Sequence, residues 1–180
     1  TISKDREQIS LSPGSDNSSV NFAWYTKEAS GVQKLKIAEN KRLTNAKVYE
    51  AKQTKAVTDK DKTEYVSNKV IATDLKANTT YYYSYQKDGQ WTAPEKYTTD
   101  NGSKFSFIFV GDPQIGSSNE LKGAATEEFY NAQSAAVAND AFNWNTTLNQ
   151  AMEKTGNKAS FVLSSGDQIQ STKKKSPNKA

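Results

Sequence analysis

Two apolar runs that each stop on Gly-Asp hold the residues best suited to chemistry. One is Phe105-Ser-Phe-Ile-Phe-Val-Gly-Asp112-Pro-Gln114, the other Ser160-Phe-Val-Leu-Ser-Ser-Gly-Asp167-Gln-Ile-Gln170. The two aspartates are 55 residues apart. A carboxylate that follows a buried strand can ligate a hard cation, act as a general base, or cap the next helix. Two of them at equivalent ends of neighbouring parallel strands favour one ion site at the carboxyl edge of a sheet. Gln114, two residues beyond Asp112, can reach the same ion through its amide oxygen or serve as a loop hydrogen-bonding residue; the amide is a weaker ligand than a carboxylate or imidazole. Gln170 reads as structural.

What the chain lacks narrows this chemistry. Its 180 residues contain no histidine and no cysteine. That excludes, within these residues, a Ser-His-Asp triad, an imidazole base, every histidine or thiolate metal ligand, and disulfides. The net charge of +4 is spread along the chain, so no block reads as a nucleic-acid footprint. The single basic run, Lys173–Lys175, reads as a solvated tail. Hydrophobic residues make up 34 % and aromatic residues 11 %, enough for a folded core despite a mean hydropathy of −0.85. No apolar run approaches a membrane span. A chain that begins at Thr1 and has this Lys- and Asn-rich, Cys-free composition fits a bacterial protein, mature or excised, at the cell surface or outside the cell. Four Asn-x-Ser/Thr triplets, at Asn17, Asn78, Asn101 and Asn145, matter only in a source that glycosylates such proteins.

The elements that must position the aspartates form two groups. Residues 1–100 read as seven short strands between turns, the pattern of a β sandwich. Strands centre on Ile9 and Leu11, Val20 to Trp24, Leu35 and Ile37, Val48 and Tyr49, Tyr65 to Thr73, Tyr81 to Gln86, and Tyr97 and Thr98. Asp88-Gly89 signals a hairpin. Tyr81, Tyr83 and Tyr85 share one face, which can be core or a stacking platform for sugars or bases. Residues 101–104 read as a linker. Residues 105–170 read as one βαβ unit with parallel strands, its apolar strands buried on both faces. Residues 120–138 read as helical in part, and a cap on Asn139 or Asp140 starts a helix that runs to about Thr155 and ends at Gly156-Asn157, with Trp144, Leu148, Ala151 and Met152 on one stripe. Two strands and a helix leave apolar faces uncovered, so the natural protein is expected to continue past the tail, residues 171–180.

The segment Leu75-Lys-Ala-Asn-Thr-Thr-Tyr81-Tyr-Tyr83-Ser-Tyr85 is similar to the corner before the sixth strand of fibronectin type III domains. There a tyrosine ring packs in the core and its hydroxyl satisfies a nearby backbone group. Such a sandwich, a short linker, then strand-Gly-Asp, helix and strand-Gly-Asp resemble the start of a purple acid phosphatase-like metallophosphoesterase. The fold class implied is a fibronectin type III-like β sandwich followed by a partial α/β metallophosphoesterase domain. The resemblance implies that Asp112 ligates a first metal, that Asp167 bridges two, and that Gln114 stands where the superfamily usually has a histidine ligand. Gln170 stands where purple enzymes have a tyrosine, so a colourless divalent pair of Zn, Mn or Fe(II) is implied rather than a purple ferric site. The implied activity is hydrolysis of phosphate esters by the full-length protein, with these residues alone inactive and further ligands elsewhere. The alternative is a sandwich that binds a cell-surface glycan or a protein. No nucleic-acid partner and no membrane span are expected.

Overall fold

The computed structural model describes residues 8–56, 62–121 and 126–170. The expected tail at 171–180, with Lys173–Lys175, lies outside them. The chain divides into two compact units, Lys4–Phe105 and a second made mainly of Ser106–Ala180.

The first unit is two packed antiparallel sheets. The strands are β1 (Ser10–Pro13), β2 (Val20–Lys27), β3 (Lys34–Ala38), β4 (Lys47–Glu50), β5 (Lys52–Lys55), β6 (Tyr65–Ala72), β7 (Thr80–Lys87), β8 (Gln90–Trp91) and β9 (Glu95–Thr98). One sheet runs β1-β2-β6-β5; in the other, β4-β3-β7 continues to β8 and β9, which share the free side of β7. The chain passes from one sheet to the other at Ala51, which is buried and donates its N–H to Gln33 O at 2.9 Å.

Strict alternation builds the core. Val20, Phe22 and Trp24 of β2 face Leu35 and Ile37 of β3, Val70 and Ala72 of β6, and Tyr81, Tyr83 and Tyr85 of β7, all buried in one cluster. Phe22 and Tyr83 lie 5.0 Å apart between ring centroids, and Trp24 meets Tyr85 edge-on at 5.5 Å. Trp24 Nε1 donates to Gln86 O at 2.9 Å, a hydrogen bond between the two sheets. The Tyr81 hydroxyl accepts from Lys76 N at 2.9 Å beside buried Leu75, so the corner forms as expected. The three tyrosines are core, and a stacking platform built from them is excluded by their burial. For Tyr83, burial first and the Glu95 carboxylate second hold the phenol well above the ordinary tyrosine range. Asp88 and Gly89 both have positive φ, as the two-residue β7–β8 turn requires.

A buried polar network closes one end of the sandwich. Asn68 donates to Thr26 Oγ1 at 2.8 Å and accepts from Gln53 Nε2 at 2.7 Å. Buried Gln33 donates to Ser30 O and Gly31 O and accepts from Gly89 N at 3.0 Å. Each amide thus has partners on both ends, which is the condition for burying it cheaply.

Two strand expectations change. Among the described residues the sandwich has nine strands rather than seven. The added ones are β5, whose Lys-Gln-Thr-Lys carries no apolar alternation, and the two-residue β8.

The second unit is β10 (Ser106–Val110), α1 (Glu127–Lys154) and β11 (Ala159–Ser164), with β10 and β11 parallel. The expectation that these strands are buried on both faces is overturned. Ile108 is buried, but Phe107 is 46 % and Phe109 65 % exposed. The reason is a shortage of layers: two strands and one helix cannot cover both faces of a sheet. The helix takes in residues 127–138 of the stretch read as helical in part and runs without a break through the expected cap at Asn139 or Asp140. Its N-cap is Thr126, whose hydroxyl accepts from Phe129 N at 3.2 Å, with Glu127 and Glu128 in the first turn. Phe129, Ala132, Ala136 and Ala141 extend the less exposed stripe of Trp144, Leu148, Ala151 and Met152 toward the N-terminus, so the helix propagates through Asp140. It ends as expected, with Asn157 N donating to Met152 O at 2.9 Å past Gly156.

Candidate metal centre

The two Gly-Asp segments lie side by side because the parallel ladder continues past the strand ends. Ser165 N donates to Val110 O at 2.9 Å. The ladder then opens at Gly111, Asp112 and Pro113, where proline has no N–H to give. It resumes with Gln114 N to Asp167 O at 2.9 Å, Ile115 N to Gln168 O at 3.1 Å and Gln170 N to Ile115 O at 3.0 Å. Ile115 and Ile169 form an isolated parallel bridge. Both aspartates therefore stand at the rim of a short gap at the carboxyl edge of the pair.

Backbone strain concentrates here. Gln114 has φ 40° and Asp167 φ 41°, left-handed values that cost a non-glycine residue on the order of 1 kcal/mol each. Gly166, at φ 124°, takes a conformation that suits glycine almost alone.

Asp112 and Asp167 are exposed and Gln114 is half-buried. Among the described residues no hydrogen bond or ion pair engages either carboxylate. The donors are two carboxylates and one amide oxygen, all hard oxygen ligands suited to divalent ions. Among the described residues no three His, Cys, Asp or Glu side chains gather closely enough to hold a metal by themselves. Gln168 is engaged locally, donating to Ser164 Oγ and to Gly166 O. Gln170 is held through its backbone N–H.

Sequence reasoning missed the residue that fixes the far side of this edge. Asp140, midway along α1, accepts from Gly116 N at 2.8 Å and from Ser118 N at 3.2 Å. Ser118's hydrogen bond, followed by the Gly116 backbone, holds its carboxyl below the ordinary aspartate range despite some desolvation. Gln133 adds a second tie from the same helix, donating to Gly116 O at 2.9 Å and accepting from Asn119 Nδ2 at 2.9 Å. The available signal was the spacing of Gln133 and Asp140 about Ala136: two polar residues on the helix's otherwise apolar stripe.

The sandwich has its own concavity, about 410 Å³, lined in part by Tyr49, Tyr81, Thr44 and Leu75. Its charged groups already pair with each other: Lys47 with Asp74 at 3.3 Å and Lys76 with Glu39 at 2.6 Å. Trp91, 39 % exposed on the outer face of the β3–β7 sheet, carries Lys36 Nζ 4.2 Å above its ring. Among the described residues no helix is long and apolar enough to cross a membrane.

Comparisons with known proteins bear mainly on the sandwich. The family described as purple acid phosphatase, N-terminal domain, matches residues 6–99. No curated protein matches. Among solved structures, a purple acid phosphatase from seeds of yellow lupin (Lupinus luteus) is similar at 9 % identity and a TM-score of 0.42, over 62 % of this chain and 24 % of the lupin chain. The sensor domain of an anti-sigma factor from Pseudobacteroides cellulosolvens is similar at 19 % identity and a TM-score of 0.33, over 54 % of this chain and 98 % of its own. A starch-binding domain of Rhizopus oryzae glucoamylase is similar at 14 % identity and a TM-score of 0.33, over 56 % of this chain and 98 % of its own. The chain thus spans about a quarter of the lupin phosphatase it resembles.

Proposed function

The chain belongs to the purple acid phosphatase N-terminal domain family, and from that premise we propose that the complete protein is a metal-dependent phosphoric ester hydrolase. In this reading residues 1–100 are a fibronectin type III-like N-terminal domain and 101–104 a linker. Residues 105–170 begin the metallophosphoesterase domain. The observation that carries the reading is the paired edge that follows the sandwich: two strand-Gly-Asp segments whose ladder resumes at Gln114 and Asp167.

Asp112 and Asp167 supply anionic oxygens on opposite sides of the gap, and Gln114 a neutral one. Asp112 would hold a first divalent ion and Asp167 would be shared between two. When bound, such a pair supplies Lewis-acid stabilisation of a phosphoryl group and lowers the pKa of water for in-line attack. The protein's own contribution is placement. The backbone pairing fixes both loops, and Asp140 and Gln133 hold the loop after Gln114, so the donors sit on a rigid edge. No imidazole is available among these residues to complete the sphere or to protonate a leaving oxygen. The remaining ligands and the general acid belong to other parts of the complete protein, and these 180 residues alone hydrolyse nothing. Gln170 in place of a tyrosine favours a colourless Zn, Mn or Fe(II) pair. The substrate is a phosphate ester, and the protein acts at the cell surface or outside the cell.

Two experiments test this. Manganese or zinc titrated calorimetrically into the chain should bind weakly, and Asp112→Asn and Asp167→Asn should each abolish that heat; equal heats in all three proteins would remove the site assignment. The complete protein, stripped with a chelator, should lose p-nitrophenyl phosphate turnover and regain it with the divalent ion. Turnover indifferent to the chelator would overturn the reading, as would sustained turnover by the 180 residues alone.

A further inference from the structure

Asn101–Gly102 is the chain's one Asn-Gly step. Its surroundings hold three groups in the places that ring closure at an asparagine uses. The Asn101 side-chain Oδ1 accepts from Lys104 N at 2.8 Å and from Ser103 N at 3.0 Å. These are two backbone donors on the oxygen that becomes negative when its carbonyl carbon is attacked. The attacking group, Gly102 N–H, donates to the Asp100 carboxylate at 2.7 Å. That carboxylate is within the reach of a general base.

Asp100 is itself held by the sandwich. Its carbonyl accepts from Asn78 N at 2.9 Å, and the preceding Thr99 is buried and donates from N to Thr79 O at 3.0 Å and from Oγ1 to Lys76 O at 2.6 Å. The base is thus presented from the end of a paired strand. Gly102 has φ 74°, and a Cβ there would run into the Asn17 side chain, so the turn is committed to glycine. Glycine is also the residue whose nitrogen is least shielded from a neighbouring carbonyl. Asn101 and Gly102 are exposed to water.

The geometry points to Asn101 as a self-modifying site, at which the folded chain promotes its own deamidation. The Gly102 nitrogen attacks Asn101 Cγ and the N–Cγ bond forms. The nitrogen's proton passes through the Asp100 carboxylate to Nδ2, the Cγ–Nδ2 bond breaks, and ammonia leaves. Water then opens the five-membered imide at either carbonyl, leaving aspartate or isoaspartate at position 101. No oxidant or cofactor is consumed. The product adds a negative charge beside Asp100. As isoaspartate it also lengthens the backbone by one methylene just ahead of Ser106.

The test compares three samples at neutral pH by peptide mapping and mass spectrometry: the folded chain, the folded Asp100→Asn chain, and a free peptide covering residues 98–106. Asp100→Asn keeps an acceptor for Gly102 N–H but removes the base, and circular dichroism checks that the sandwich remains folded. Asn101 in the folded chain should convert several-fold faster than in the peptide, and Asp100→Asn should slow it about tenfold. Conversion no faster in the folded chain than in the peptide would overturn the inference. So would an equal rate in the folded chain and its Asp100→Asn variant.

Discussion

In the sandwich, the apolar residues that alternation turns inward are buried; in the strand–helix–strand unit, the most continuously apolar strands stay open to solvent. β2 alternates apolar and polar residues and hides Val20, Phe22 and Trp24 almost completely. β10 is a run of Phe, Ile, Phe and Val, yet only Ile108 is buried. Hydrophobicity alone therefore does not dictate burial. A half-polar strand finds its partner in the facing sheet, whereas a fully apolar strand needs a layer on each side. The local order of the second unit comes instead from backbone ladders, helix capping and the ties from Asp140 and Gln133.

The widest separation between the two units should appear on core truncation. Trp24→Ala removes the largest fully buried side chain and its hydrogen bond to Gln86, at a cost of about 3–5 kcal/mol, enough to unfold the sandwich in a thermal melt. Phe109→Ser, by contrast, should change the melt by less than about 0.5 kcal/mol. Equal losses would erase the contrast.

The next effect is polar. Asn68→Ala takes from buried Thr26 Oγ1 the donor that Asn68 supplies and should cost about 1–3 kcal/mol in chemical denaturation. Tyr81→Phe leaves the Lys76 amide without its acceptor and should cost about 1 kcal/mol, with the ring still packed.

The smallest effect lies in the second unit and depends on pH. Asp140 has a depressed folded-state pKa. Its contribution is therefore present above the unfolded aspartate value and is lost as pH falls through the lower folded value. Amide exchange at Gly116 and Ser118 should accelerate in that acid range, and Asp140→Ala, which removes the acceptor, should give fast exchange already at neutral pH. Protection of both amides in that variant would show that Gln133 alone holds the loop.

Most of the sandwich was legible because alternation and turn chemistry agree along it. Val20 to Trp24, Leu35 and Ile37, and Tyr81 to Tyr85 each show the period of a half-buried strand, and Leu75 with Tyr81 marks the corner. β5 was invisible because its side chains carry no pattern; its pairing with β6 follows from the sheet switch at Ala51, a tertiary event. The sequence reads α1 as two pieces, one within 120–138 and one from Asn139 or Asp140, because both of those residues are good caps, and a cap residue inside a helix betrays itself only by what it reaches in space. The candidate metal edge was legible as two Gly-Asp phrases. The strain at Gln114 and Asp167 was not, since neither residue type announces a left-handed backbone.

The interrupted and resumed ladder beyond β10 and β11 has one more consequence. Gln114 and Asp167 are locked to each other by main-chain atoms, while the side chains of Asp112 and Asp167 face solvent. The separation of the two carboxylates is thus governed by residue count between the last strand bond and the first resumed one. Neighbouring side chains can be exchanged with little effect on it. One residue inserted beside Pro113 would move Asp112 and leave Asp167 where it is. At this edge loop length is the constrained quantity and local composition is free to drift.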